Sequence, residues 1–487
     1  MVALNNILAA LEPVEITGNT GVNIRQVVFD SRIAGRDDLF IAVKGVKLDG
    51  HDFIGEVIAR GAAAIVCEHI PSEWEKKCTF IRVSSSSRAL GLAASAFYGF
   101  PSSKMKLVGV TGTNGKTTTA TLLYRLFSAL GYRCGLFSTV ANYVTDRQTG
   151  ATHTTPDAVQ MNALMNEMVK AGCTHCFMEV SSHAVDQHRI AGLKYAGAIF
   201  TNLTHDHLDY HKTFDNYLKA KKQYFDQLLP GSFAVVNKDD KNGLVMVQNT
   251  SARVITYGLR SVADYTAKIV ESHIDGMLLK VNGKEVWSQL KGEFNASNFL
   301  AVLASAVALG EEEENVLRAM SELREVRGRF ETLRSGNGVT AIIDYAHTPD
   351  ALENILNAIL RLRKAGERII TVMGAGGDRD KTKRPAMGRI AASMSDKLII
   401  TSDNPRSEEP EAIIRDVFAG VDKTDQPKVI TLVSREEAIR TACFMAQPGD
   451  MILVAGKGHE TYQDIKGVKH HFDDREVVTK EFEKMNR

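Results

Sequence analysis

The stretch "KLVGVTGTNGKTTT" (106–119) constrains this chain more than any other. Its first half is a continuous apolar run bounded by glycine, the pattern of a strand buried on both faces of a parallel sheet. Lys116 and three threonines then open a helical stretch that runs to Leu130. A strand, a glycine-rich turn and a helix in that order make a phosphate-binding loop. Glycines let backbone N–H groups converge on phosphate oxygens with no Cβ in the way, and the helix N-terminus adds partial positive charge. Thr111, Gly112, Thr113, Asn114, Gly115, Lys116, Thr117 and Thr118 are therefore expected to cradle a nucleotide. Lys116 would bridge the outer phosphates and Thr117 would bind the accompanying Mg²⁺. The spacing departs from GxxxxGK[ST], because Val110 stands where the first glycine belongs, with Gly109 and Gly112 on either side. A ligand-free glycine turn leaves the lysine, the threonines and the helix in register unexplained.

Two flanking patterns extend this reading. At 487 residues the chain is too long for one hydrophobic core. Residues 1–103 hold short apolar runs ("RQVVFDS", "DLFIAV", "AAAIVCE", "CTFIRVS") and a helical stretch near 86–98, and "FPSSK" (100–104) reads as a linker. Residues 104–331 alternate strand-like and helix-like runs, with a short, turn-rich antiparallel β unit expected over 250–290. Residues 332–487 repeat the alternation in "VTAIIDYA", "RIITVMGA", "KLIITS", "PKVITLVS" and "DMILVAG", a doubly wound pattern. The expected fold is α/β in three domains, with a mainly parallel sheet around the phosphate loop and a Rossmann-like C-terminal unit.

A net charge of +1 points neither to nucleic acid nor to an anionic membrane. The first basic residue is Arg25, so the N-terminus does not read as a signal peptide. No apolar run reaches the roughly 18 residues of a spanning helix, and the expected location is the cytoplasm. The six cysteines are too sparse for a disulfide scaffold, and the lone CxxC at Cys173 and Cys176 reads as buried and structural.

"HDHLDYH" (205–211) resembles the HxHxDH string of two-metal hydrolases, but Tyr210 stands where a histidine is required. The phosphate loop offers another reading, since a nucleotide brings Mg²⁺ and hard oxygen ligands. "MEVSSH" (178–183) ends an apolar run in Glu179, a suitable carboxylate ligand, and loops at the carboxyl ends of neighbouring strands share one crevice. Seven of the fourteen histidines, from His153 to His211, fit a crowded polar cleft.

Nine motifs in order now carry a resemblance: "TGTNGKTTT", "MEVSSHAVDQHRI", "TNLTHDHLDYH", "GEFNASNFLAVLA", "GRFE", "DYAHTPDAL", "GGDRDKTKRP", "TSDNPRSEEP" and "AGKGHETYQ". Together they resemble the Mur ligases of peptidoglycan precursor synthesis, of the diaminopimelate-adding type, over nearly the whole chain. The resemblance implies a UDP-binding first domain, an ATP-binding second and an amino-acid-binding third. It implies that ATP phosphorylates the D-glutamate γ-carboxylate of a UDP-muramoyl-dipeptide, and that an incoming amine displaces the phosphate. Phosphoryl transfer needs positioning and charge neutralisation more than a protein nucleophile.

The same resemblance implies roles for single residues. His207 and Glu179 would be metal ligands, with two Mg²⁺ ions in play. Lys221 in "YLKAKKQYF" would be carbamylated by CO₂, which needs a neutral amine. Read from the residues alone, Lys221 lies on a solvated helix face between Lys219 and Lys222. Ser31, with the "VKL" turn at 46–48, would contact the UDP end. Thr154, Thr155, Ser181, Gln187 and Arg189 would hold the muramoyl-dipeptide. Asn295, Asn298, Arg329, Asp344 and His347 match the nucleotide end. Arg327 replaces the usual proline before "GR" and is expected to alter the linker.

"SDNPRSEEP" (402–410) bears on which amine is added. meso-Diaminopimelate carries a second carboxylate that lysine lacks, and a guanidinium grips a carboxylate with two parallel hydrogen bonds. Arg406 and Arg379 are the candidates, while Asp403, Asn404, Pro405, Gly456 and Glu460 would surround the ammonium and α-carboxylate. By itself "DNPR" is equally well an N-cap turn before a helix at 410. The competing functions are a lysine-adding ligase, a folylpolyglutamate synthetase, a binuclear metallohydrolase and a non-catalytic nucleotide-binding module. The partners expected are small-molecule substrates and ATP, and the chain is expected to be a monomer.

Overall fold

The computed structural model describes all residues except 46–47, 75–77, 151–152, 205, 207 and 486–487. Three sheets organise the chain. The first has five strands between Glu15 and Arg82, four of them parallel, with Glu15–Thr17 antiparallel at one edge. The helix Ser86–Phe97 packs on it through a face of small residues. "FPSSK" forms a 3₁₀ turn, Pro101–Lys104, whose Pro101 and Ser102 are buried, so the expected linker is a packed joint. Ser95 and Ser102 hydrogen-bond the backbone at Gly192 and Lys194 and fasten this domain to the next.

The central sheet has eleven strands. Lys106–Thr111 lies between His175–Glu179 and Gly197–Phe200, parallel to both. All three are buried on both faces, as their unbroken apolar sequences require. The chain leaves Lys106–Thr111 on both sides, so the loops after these three strands open at one switch point. The antiparallel unit expected over 250–290 is present. Tyr265–His273, Gly276–Val281 and Lys284–Ser288 extend the same sheet beyond Arg253–Gly258.

The third sheet has six strands, five parallel and one antiparallel edge strand, Glu331–Arg334. Its five parallel strands match the five apolar runs named above. The C-terminal helix Asp474–Met485 is anchored by one ion pair with no solvent exposure on either side chain. Arg435 donates to Asp474 at 2.7 and 2.8 Å and to the Ala455 carbonyl at 2.9 Å. Arg435 thereby ties two helices to the strand end that carries Gly456.

Among the described residues no helix is long and apolar enough to cross a membrane. Cys173 and Cys176 are free and buried, as expected of structural cysteines. His175 does not face the cleft. It stacks among Phe127, Tyr132 and Phe177, and burial pushes its pKa down to about 4. The histidine count therefore overstates the polar cleft, because this member serves the aromatic core.

Removing Asp474 strands a buried guanidinium. Asp474→Ala is expected to destabilise the C-terminal domain by about 3–5 kcal/mol, read as a lower urea midpoint for that domain. An unchanged midpoint would show that the pair does not anchor the helix.

Candidate active site

The phosphate loop is built by the end of one strand. Val110 is still paired, opposite Glu179 and Ile199, because the strand continues to Thr111. The turn therefore begins one step later, at Gly112, which accounts for valine at the departing position. Gly112 has φ +153°, and a Cβ there would lie 1.9 Å from Thr201 Oγ1. Gly115 has φ +87° at the N-cap of the helix Lys116–Ala129, and its Cβ would lie 2.6 Å from Asn298 Oδ1. Neither position admits a side chain. Thr201, Asn202 and Thr204 hold the loop from the next strand's end. Thr201 Oγ1 donates to Asn114 O at 2.6 Å, Asn202 O accepts from Thr113 N at 2.8 Å, and Thr204 N donates to Thr113 Oγ1 at 3.0 Å.

Two lysines converge on this loop. Lys116 Nζ donates to Gly112 O and Thr113 O at 2.9 and 2.8 Å. Lys221, on the helix Phe214–Asp226, donates to the same Gly112 carbonyl at 2.9 Å and lies over the Tyr217 ring. Lys221 is 1 % exposed, so the solvated helix face read from the residues alone is wrong. Successive helix residues point about 100° apart, so Lys219 is exposed and Lys222 turns to pair with Asp226. Burial, and then the charge of Lys116, holds the Lys221 amine well below the usual lysine range. Burial also lowers Lys116, against the opposing pull of Glu179 and Asp206.

Glu179 is buried at the strand end, where its carboxylate accepts from Thr139 N at 2.7 Å and Thr139 Oγ1 at 3.2 Å. Thr139 Oγ1 also lies 3.1 Å from Thr154 Oγ1. Ser181 caps the short helix Ser182–Asp186 and receives a contact from Thr155, whose hydroxyl donates to the Glu179 carbonyl. Arg189 donates to Thr155 O and to Gln187 Oε1 at 3.0 Å each. His205 and His207 lie outside the described residues, as do positions 46 and 47 of the "VKL" turn. His211 points into the protein, 2.9 Å from Ser182 Oγ. Tyr210 donates to Asp186.

A cleft of about 1080 Å³ joins the central and C-terminal domains. On the central side it is lined by Thr113–Thr118 of the loop, Thr154, Glu179, Ser181, Lys221 and Asn298. On the other side stand Arg329, Asp344, His347, Arg379, Asp403, Asn404, Arg406, Gly456 and Glu460. Thr111, Gly112, Thr155, Gln187, Arg189, Asn295 and Pro405 are not among the residues that line the cleft. Asn295 buttresses Asn298 by accepting from its amide at 3.0 Å. Ser31 belongs to the first domain, apart from the cleft, and its carbonyl accepts from Arg60 at 2.6 Å.

The linker arginines take different partners. Arg329 donates to Thr117 Oγ1 at 2.9 Å and stacks on Tyr345. Arg327 is ion-paired to Asp473, a contact proline could not make. Asp344 accepts from Phe330 N at 2.7 Å, and burial pushes its carboxyl up to about 6 although Arg329 opposes this. His347 Nδ1 donates to Tyr345 O at 2.7 Å, and burial keeps its imidazole below the usual range.

The "DNPR" turn is stitched to two other loops. Asn404 O accepts from Gly377 N, and Arg406 donates to Gly377 O at 2.6 Å. Arg406 has φ +53°, a left-handed conformation held by Arg406 N to Asp464 O and Lys466 N to Arg406 O. The helix N-cap at 410 is Glu409 and makes no side-chain cap, so "DNPR" is not serving as that cap.

Several contributors escaped the sequence reading. Asp350 accepts from Asn114 of the phosphate loop at 2.8 Å and from Thr204 at 3.2 Å, across the domain boundary. Arg384, buried, donates to Glu408, Asp416 and the Gly376 carbonyl, and its hydrogen bonds pull Glu408 down to about 2. Both sit inside quoted motifs, but sequence gives no sign of which side chains turn inward.

Three family models match: the Mur ligase family catalytic domain over residues 23–98, the Mur ligase middle domain over 110–306, and the Mur ligase glutamate ligase domain over 328–458. A protein of Bacteroides fragilis named UDP-N-acetylmuramoyl-L-alanyl-D-glutamate–2,6-diaminopimelate ligase is 56% identical over 479 residues, covering 98% of this chain and 99% of its own. One of the same name from Cytophaga hutchinsonii is 54% identical, covering 98% of both chains. A solved structure of a ligase of that name superposes with a TM-score of 0.72 at 30% identity, covering 100% of this chain and 99% of its own. With likeness of sequence along the full length, likeness of fold in all three parts, and a glycine loop facing a wall of mixed acidic and basic side chains across one cleft, the chain belongs to the Mur ligase family.

Proposed function

We propose that this chain is an ATP-dependent, ADP-forming ligase that joins meso-diaminopimelate to the D-glutamate γ-carboxylate of UDP-N-acetylmuramoyl-L-alanyl-D-glutamate. The observation that carries the reading is one cleft with the phosphate loop, Glu179 and Lys221 on one wall and Arg379, Asp403, Asn404 and Arg406 on the other. A carboxylate is a poor acylating agent. Transfer of the ATP γ-phosphoryl group to a carboxylate oxygen makes an acyl phosphate. The substrate amine then attacks the acyl carbon, phosphate departs and the nitrogen loses a proton. Donors on the loop would orient the phosphates, with Lys116 at the outer ones.

The residues present fit the ions this chemistry uses. Thr117 and Glu179 offer a hydroxyl and a buried carboxylate, the oxygen donors Mg²⁺ prefers, and His207 and a carbamate on Lys221 would complete the set. Bound Mg²⁺ would neutralise charge on the transferring phosphoryl group. The neutral amine is the species that adds CO₂, and burial beside a second lysine lowers the Lys221 pKa in that direction, so its environment fits carbamylation. Ser31 would meet the UDP end, and Thr154, Ser181, Gln187 and Arg189 the muramoyl-dipeptide. Asn298, Arg329, Asp344 and His347 would meet the nucleotide. We place the domain boundaries at 103/104 and 331/332, and the enzyme in the cytoplasm as a monomer serving peptidoglycan synthesis and hence cell shape and division.

ADP release is expected to require both the UDP-linked dipeptide and meso-diaminopimelate. Lysine should leave a carboxylate-binding arginine unpaired, so its kcat/KM should be lower by at least about a hundredfold. Equal turnover with the two amines would sink the specificity. Lys221→Ala should lose nearly all activity and regain part of it with short carboxylic acids. Depleting CO₂ should slow the wild type and bicarbonate should restore it. Full activity of Lys221→Ala without additives would remove Lys221 from the mechanism.

A further inference from the structure

Lys457 is a fully buried lysine that the mechanism above does not use. It follows Gly456 in the loop after the strand Met451–Ala455 and does not line the cleft. Its Nζ lies 3.1 Å from Asn404 Oδ1, 3.2 Å from Glu460 Oε2 and 3.9 Å from Asp403 Oδ1. An ammonium has three donors and no acceptor; Asn404 and Glu460 each accept one, and the Asp403 carboxylate adds a longer ion pair. Asn404 Oδ1 also accepts from Asp464 N at 2.9 Å. Both donors fix the amide rotation, so that Asn404 Nδ2 turns to Glu460 Oε2 at 2.7 Å. The three side chains that Lys457 holds are all on the cleft wall.

The charge balance matters as much as the geometry. Asp403 and Glu460 bring two carboxylates to one wall, and Lys457 stands behind them as the only cation within ion-pair distance among the described residues. With it, the wall can take a substrate ammonium and still admit a substrate carboxylate beside Arg406. Without it, two uncompensated carboxylates favour a bare cation and repel a carboxylate.

We propose that Lys457 is a positioning residue that sets amine specificity: it pins Asn404 and Glu460 and selects a substrate end bearing both ammonium and carboxylate over one bearing ammonium alone. This rests on the functional reading above. meso-Diaminopimelate presents the first kind of end distally, and L-lysine the second.

The test measures kcat/KM for meso-diaminopimelate and for L-lysine with full-length wild type, Lys457→Met, Lys457→Gln and Lys457→Arg. In Lys457→Met the ratio of the two should fall at least about tenfold, the size of one lost charged hydrogen bond. The loss should fall mainly on KM for diaminopimelate, with KM for ATP unchanged. Lys457→Arg, which keeps the charge, should retain most of the ratio, and Lys457→Gln gives the neutral comparison if the methionine variant melts early. An unchanged ratio in the neutral variants, with both amines losing equally, would overturn the inference alone. No diaminopimelate-dependent ADP release from the wild type would overturn the functional reading, and this inference with it.

Discussion

One buried amine organises this structure. Lys221 places its amine under the glycine loop, against the same carbonyl that Lys116 uses. Two amines share one acceptor in a buried site, and burial and then the Lys116 charge lower the Lys221 pKa well below the usual lysine range. That arrangement exists only because the strand Lys106–Thr111 is central in its sheet and the helix Phe214–Asp226 packs at its carboxyl end. Glycine at 112 is the hinge of the arrangement, since a Cβ there collides with Thr201 and closes the loop to its support.

The cleft is then completed by distant parts of the chain. Arg329 reaches Thr117 from the linker, and Asp350 reaches Asn114 from the third domain. These polar contacts join the domains beside an apolar contact between Phe294 and Phe330. Interfaces of that composition are the ones that open and close around ligands. The first domain is joined differently, through packed small residues and the serines at 95 and 102, which suits a fixed platform.

The fold was legible wherever an apolar run had to be buried on both faces. Each of the five runs named in the C-terminal third is a parallel strand, and the run before the glycine loop is the central strand of its sheet. The antiparallel unit was also legible, but its continuity with the central sheet depends on two pairs, Tyr257 with Tyr265 and Gly258 with Thr266, that no local pattern announces. The site was less legible. Lys219, Lys221 and Lys222 look alike in sequence, and only the helix's packing face separates the buried one from its neighbours. His175 counted toward a polar cleft until the aromatic residues around it placed it in the core.

What the sequence determined by itself was chemistry at short range. Glycines at fixed spacing before a lysine, a carboxylate at a strand end, and an arginine after "DNP" specify which groups are available, because these constraints act within a few residues. What only the tertiary structure decided was burial and partnership. Lys221, Arg384, Asp350 and Lys457 acquire their contacts from residues 24 to 236 positions away, or from a loop folded back on itself. Desolvation depends on everything that surrounds a group in space, and no window along the chain contains that information.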